Sequence, residues 1–365
     1  MFKCYSLLDN PKHQSKPKDK VVMIQYFKER ILLSRSLYSI MNELVYYKKN
    51  NFKSNFIVNI KYAFQDKTSF YLIQEYMEGG DLRFHMNRHV ITETKAKFLI
   101  ACLILGVEYL HKHGYVHRNL KPENLILDRR GYLKINDMKL LREASKVNYF
   151  DTSGTQGYMA PEIIFRQNHG CCSDIFSIGV ITYEMMFNRL PFKAESRKEY
   201  AEVLMSDKEF LIKESDLPEG WSRDCADFIN RCIQKRAIVR IGYNGIEELK
   251  EHRWFRDFKW VELEEMKLNP PFVPKKNNHK LRMNKDYFFL NGNIKQYLEY
   301  YEISKKFDGY YYNYKQDLIK TIAKKTMITN VLSSKASANS SHSITLDNED
   351  IGLQNMNEVV LEGIE

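Results

Sequence analysis

The stretch "YVHRNLKPENLIL", residues 115–127, decides how this chain is read. Short apolar pieces, Tyr115-Val116 and Leu125 to Leu127, bracket a run in which nearly every side chain is polar or charged. At its centre stands Asn119, an amide where a carboxylate would give the run a proton acceptor. An ionised carboxylate accepts hydrogen bonds and can take a proton, whereas an amide oxygen is a poor base. Whether that one difference changes what the protein does depends on the rest of the chain.

Outward from this run the texture differs on the two sides. On the N-terminal side, "VVMIQYFK" (21–28), "FIVNIKYAF" (56–64) and "SFYLIQEYM" (69–77) are β-branched and aromatic and predict strands. "MFKCYSLLDN" can supply another strand, and "PKHQSKPKDK" is a lysine-rich loop with two prolines. "LYSIMNELVYY" (37–47) has helical spacing of apolar residues. From "EGGDL" (78–82) onward helices dominate: one over 91–114, capped by Thr92 or Thr94 and ended by Gly114, and others near 173–188, 222–234 and 245–252. A sheet-rich part followed by a helix-rich part is an α+β arrangement with a cleft between them.

The chain has 365 residues, 44% of them hydrophobic, and a formal net charge of +10. That length suits a two-lobed unit plus a tail. The basic balance suits phosphate or acidic ligands, but no basic run is interleaved with stacking aromatics, so a nucleic-acid module is not expected. Six cysteines without a CxxC spacing read as reduced thiols. "FLIACLILGV" (98–107) is too short to span a bilayer and no secretory signal opens the chain, so a cytoplasmic location is expected. Beyond about 266 the chain turns irregular, and after 330 the Ser-rich and acidic end reads as disordered.

The ordered set of motifs from about 21 to 275 resembles the Ser/Thr protein kinase family, its AGC group in particular, and "YAFQD", "GGDLR", "SGTQGYMAPEI" and "GWSRDCADFIN" resemble ciliate members of that group. The resemblance implies a bilobal kinase fold: a small sheet-rich lobe over 1–77, a helical lobe over 78–256, an AGC-type tail over 257–315 and a disordered end over 316–365. The small lobe is truncated, because no glycine precedes Gly79 and the glycine-rich loop over the ATP phosphates has no counterpart. Either the protein lacks that loop or the sequence begins after it; both readings stand.

The resemblance also assigns roles. In "QYFK", Lys28 matches the lysine that pairs the α- and β-phosphates, with Glu43 of "SIMNE" as its ion-pair partner; Lys3 is the competing candidate. In "YLIQEYMEGGDL", Gln74 takes the gatekeeper place at the back of the pocket, Glu75 and Met77 offer backbone groups to adenine, and Asp81 reaches the ribose. In "HRNLKPEN", His117 anchors the loop, Lys121 neutralises the moving γ-phosphate and Asn124 holds magnesium, while Asn119 stands where the family has the aspartate that receives the substrate hydroxyl. In "INDMKL", Asp137 keeps the carboxylate that binds magnesium, but Met138 and Lys139 replace the Phe and Gly that follow it. Lys139 removes a permissive glycine and adds a positive charge beside the metal place.

Further along, Thr155 matches the threonine that contacts the catalytic loop. Asp151 lies near the family's activating phosphothreonine and is expected to pair with Arg118, holding the segment ordered without phosphorylation. Glu162 and Arg240 match a buried ion pair, and Asp174 matches the aspartate that braces the catalytic loop. In "FDGYYY" (307–312), Phe307, Tyr310 and Tyr312 are similar to a hydrophobic motif that docks on the small lobe, with Tyr311 where a phosphorylatable residue would be. The resemblance thus implies ATP and Mg2+ as cofactors, a protein substrate or signalling partner, no nucleic acid, no membrane span and a monomer. Three departures, namely the absent glycine loop, Asn119 and Met138-Lys139, favour a pseudokinase, a kinase-shaped regulator with impaired or absent phosphotransfer; the alternative is an active Ser/Thr kinase.

Overall fold

The computed structural model describes residues 2–5, 20–34, 36–50, 53–66, 68–206, 210–275, 310 and 312–313. The small lobe is one antiparallel sheet. Its strands are β1 (Phe2–Tyr5), β2 (Lys20–Phe27), β3 (Ile60–Gln65) and β4 (Ser69–Glu75), with two residues of the tail, Tyr312–Asn313, added at the edge beside β3. The spatial order is β1-β2-β4-β3 and then the tail strand. Period-two alternation puts Val22, Ile24 and Tyr26 on one face of β2 and Met23, Gln25 and Phe27 on the other. Helix α1 (Lys28–Leu33) follows β2 directly, and α2 (Leu37–Asn50) buries Ile40, Leu44 and Tyr47, spaced as one helical face.

The large lobe is built round two helices with almost no polar side. These are α4 (Glu93–Lys112), which follows the short strand β5 (Gly80–Asp81) and the short helix α3 (Leu82–Met86), and α6 (Cys172–Phe187). A helix apolar all round belongs inside a core. Gly114, at φ +79°, ends α4 in a conformation that costs a glycine nothing. Around this pair lie α5 (Pro161–Ile164), α7 (Arg197–Met205), α8 (Arg223–Cys232), α9 (Glu247–Glu251) and α10 (Trp260–Glu264). Gly179 of α6 lets α8 come close: a Cβ there would sit 2.5 Å from Cys232 Cβ. The start of α4 has Thr92 at its N-cap, with no side-chain bond from it.

Between the lobes run short strands that carry the polar loops: β6 (Tyr115–Val116), β7 (Leu125–Leu127), β8 (Leu133–Ile135) and β9 (Arg142–Glu143). The lobes are stitched at Ile57, which bridges Ile135, and by Lys134, whose ammonium lies 2.8 Å from Glu75 Oε2. The chain after α10 crosses the large lobe to Phe272, whose ring meets His85 and His89. Phe307, Tyr311 and the end over 316–365 lie outside the described residues.

Candidate active cleft

The loop from His117 to Asn124 is held from below by one buried carboxylate. Asp174 of α6, fully buried, accepts the backbone N–H groups of His117 and Arg118 at 2.8 Å and the ring Nε2–H of His111 at 2.9 Å. Burial alone would favour a neutral His111, but the Asp174 carboxylate overcomes it and raises the imidazole to about 9. The same contacts allow Arg118 its left-handed backbone, φ +67°. The His117 ring is buried among these groups and its Nε2 lies 3.3 Å from the Asn136 carbonyl.

Within this frame Asn119 and Thr155 meet. The Thr155 hydroxyl donates to Asn119 Oδ1 at 2.8 Å, and Asn124 Nδ2 donates to the Asn119 carbonyl at 2.9 Å. Asn124 is buried with its oxygen turned away from that bond. Lys121 makes no side-chain hydrogen bond or ion pair among the described residues. Asp137 follows β8 in the left-handed region, φ +64° and ψ +73°, and starts a 3-10 turn over Met138–Leu140. The strain therefore falls on Asp137, not on residue 139. Lys139 has ordinary helical backbone, which is why a lysine stands there without the glycine the family uses.

Helix α2 is tied to this turn by side-chain bonds to the turn's backbone. Glu43 Oε1 accepts the Met138 N–H at 3.2 Å, and Asn42 Nδ2 donates to the Leu141 carbonyl at 2.8 Å. The Met138 side chain is fully buried, as an apolar filler should be. The expected Lys28–Glu43 pair is not made. Lys28 begins α1, beyond the end of β2, and its ammonium donates to the Asp66 carbonyl at 2.6 Å, with the Phe70 ring 5.2 Å away. The β2 face that looks into the cleft carries Val22, Ile24 and Tyr26 instead. Strand alternation puts Tyr26 there, and "KERILL" reads as a helix start, so a stricter reading of the sequence had the means to move Lys28 out of the cleft.

Among the described residues, the cation beside Asp137 is Lys139. Its Nζ lies 3.4 Å from Asp137 Oδ1 and 5.2 Å from the centre of the Tyr26 ring. Burial, which by itself would lower the Lys139 pKa, is outweighed by Tyr26, Asp137 and Glu43, and the ammonium is held charged. Glu43 is so deeply buried that its carboxyl is pushed up to about 7, with Lys139 pulling the other way and Asp137 adding to the rise. Asp137 Oδ1 is sealed from solvent and has no hydrogen-bond partner. Asp137 and Asn124 are the oxygen donors a hard cation prefers. Lys139 already meets the charge of Asp137, however, and the set as it stands does not fit a divalent ion.

At the hinge, Gln74 is buried on β4 opposite Val22, at the back of the cleft. The Glu75 N–H is spent on the Asn59 carbonyl at 3.1 Å, and its carboxylate serves Asn59 and Lys134. Met77 is nearly buried where the chain passes between the lobes. Asp81 caps α3, its Oδ1 accepting the Phe84 N–H at 2.8 Å.

In the activation segment Asp151 Oδ2 lies 2.8 Å from Arg118 Nη2 and 3.2 Å from Arg142 Nη2, so the ion pair expected from the sequence is present, with a second arginine added. Asp151 is largely buried, which opposes its charge, yet Arg118 holds the carboxyl well below the usual carboxylate range. Glu162 and Arg240 form a bidentate buried pair at 2.7 and 3.1 Å. Of the tail motif, Tyr310 is buried with its ring 4.3 Å from that of Phe70, and Tyr312 pairs with Ala63 at the sheet edge. No helix among the described residues is long and apolar enough to cross a membrane.

A small sheet lobe, a helical lobe and a polar loop braced by a buried aspartate between them define a protein of the kinase class. Comparison with known proteins agrees. The protein kinase domain model matches residues 12–255, so the chain belongs to the protein kinase family. A probable serine/threonine-protein kinase of Dictyostelium discoideum is 35% identical over 250 residues, 68% of this chain and 53% of that one. Ribosomal protein S6 kinase 2 beta of Xenopus laevis is 36% identical over 224 residues, 60% of this chain and 35% of that one. Ribosomal protein S6 kinase alpha-1 of Homo sapiens is 34% identical over 224 residues, 60% of this chain and 30% of that one. These relatives put the chain with eukaryotic Ser/Thr kinases of AGC type. The match spans about half of the first relative and about a third of the other two.

Proposed function

We propose that this chain is a pseudokinase of the Ser/Thr class: a kinase-shaped regulator or scaffold for protein partners, with phosphotransfer impaired or absent. The observation that carries the reading is Asn119. At the place where a carboxylate would receive the substrate hydroxyl, this chain offers an amide whose Oδ1 already accepts the Thr155 hydroxyl at 2.8 Å. An amide oxygen does not take up a proton near neutral pH, and loss of general-base help costs roughly 10²–10⁴-fold in rate. The lysine that the family pattern assigns to the α- and β-phosphates, Lys28, donates instead to the Asp66 carbonyl. The scaffold is kept: Asp174, Glu162 and Arg240 are all engaged. Retained scaffold with altered chemistry supports a binding role, and nucleotide is the ligand that Lys121, Gln74 and Met77 suit by position.

The active-kinase reading is favoured by the retained Lys121, Asn124, Asp137 and Thr155 and by the charge-assisted ordering of the activation segment through Arg118 and Asp151. The two readings separate in a transfer assay on purified protein with ATP, Mg2+ and a generic basic peptide, with nucleotide binding followed alongside. The pseudokinase reading expects no phosphopeptide above a no-protein blank. Transfer clearly above the blank sinks it.

A further inference from the structure

We propose that this cleft takes a nucleoside triphosphate without a divalent cation, the ammonium of Lys139 standing in the ion's place at Asp137. The inference rests on the nucleotide-binding part of the reading above and goes beyond it by naming the charge that receives the phosphates. Three placements carry it.

First, Lys139 Nζ lies 3.4 Å from Asp137 Oδ1, and that oxygen is sealed from solvent without any hydrogen bond. A carboxylate oxygen in that state needs a positive charge beside it, and the lysine supplies it.

Second, the lysine is held there. Glu43 receives the Met138 N–H, and Asn42 Nδ2 reaches the Lys139 carbonyl at 3.4 Å and the Leu141 carbonyl at 2.8 Å. The turn that bears Lys139 is thus clamped to α2 on both sides of the residue, and the Tyr26 ring closes the β2 side. A divalent ion entering at Asp137 would have to displace an ammonium already held by opposite charge, and give up its own hydration to do so.

Third, the pair is not closed off on every side: the Lys139 side chain is 30% exposed and that of Asp137 27%. A lysine ammonium has three donors and binds phosphate as a point charge. Lys28, the residue the family pattern would assign to this task, has its ammonium 2.6 Å from the Asp66 carbonyl.

The test is calorimetric titration of the full chain with ATP, once in EDTA and once in excess Mg2+, with Lys139→Met and Lys139→Arg alongside. ATP is expected to bind in EDTA at least as tightly as in Mg2+. Lys139→Met should weaken binding in EDTA by about tenfold or more, and Lys139→Arg, which keeps the charge, by much less. The comparison of buffers needs no variant, so it stands even where a variant fails to fold. ATP bound only in Mg2+, equal binding by Lys139→Met in EDTA, or no ATP bound in either buffer each overturns the proposal. Peptide phosphorylation, read separately, keeps the two ideas apart. Mg2+-dependent binding without transfer overturns this proposal and leaves the pseudokinase reading intact, whereas Mg2+-dependent binding with transfer overturns both.

Discussion

Asp174 shows how one residue organises a loop that looks, in sequence, like a string of independent polar groups. Its two oxygens fix the His117 and Arg118 backbones and the His111 ring. The carboxyl is held below its ordinary range because His111, the main counterweight to burial, favours the charged form. The imidazolium is the mirror of this. It titrates at about 9 in the folded chain against 6.5 for an unperturbed histidine. Its contribution to stability is therefore complete below pH ~6.5, shrinks as pH rises, and is gone once pH passes about 9. The size is on the order of 3 kcal/mol. Urea unfolding at several pH values across that window should show the natural chain losing stability relative to His111→Gln as pH rises. A constant difference between the two proteins would contradict the assignment. Asp174 was legible in "SDIFSIG" because the motif is local. The His111 contact was not, since it joins residues from two helices, and no spacing rule within either helix reports on the other.

The elements differ in how openly the sequence announced them. β2, β4, α2, α4 and α6 follow from alternation and helical spacing, which are properties of the chain alone. The small strands β5 to β9 have two or three residues each and exist because they pair across loops, so nothing local marks them. Lys28 was misplaced for a related reason: a family pattern put it on a strand, whereas the chain ends the strand at Phe27 and starts α1. The activation segment shows the opposite case. A single acid, Asp151, was read from position alone, and the structure brings it to Arg118 and also to Arg142. The Arg118 side chain is fully buried and Asp151 largely so. Asp151→Asn leaves that guanidinium without its acid. The loss should be about 3 kcal/mol, the low end for a broken buried pair, because Arg118 keeps the Leu140 carbonyl. Limited trypsin digestion should cut the variant faster after Arg142 or Lys146. An unchanged cleavage pattern would mean that other contacts order the segment.

Across the whole molecule, the two lobes and the tail meet through a sheet edge, a buried ion pair and a clamped turn. The tail returns to complete the small-lobe sheet beside β3, with Tyr310 seated on Phe70. Glu162 and Arg240 tie the activation segment to the late helices of the large lobe. Between them, α2 is joined to the large lobe through Glu43 and Asn42 on the turn at Met138–Leu140, and the cation in that junction comes from the turn itself. The cleft is thus wired through Lys139 and not through the small-lobe lysine, and the reading of ion-free nucleotide binding depends on that wiring, whereas the reading of lost transfer rests on Asn119. The most direct measurement is a pair of double-mutant cycles on unfolding free energy, one with Lys139→Met and Asp137→Asn, the other with Lys28→Met and Glu43→Gln. The account expects a coupling of roughly 1 kcal/mol or more for the first pair and none beyond about 0.5 kcal/mol for the second. Strong coupling between Lys28 and Glu43, with Lys139 and Asp137 independent, would contradict it.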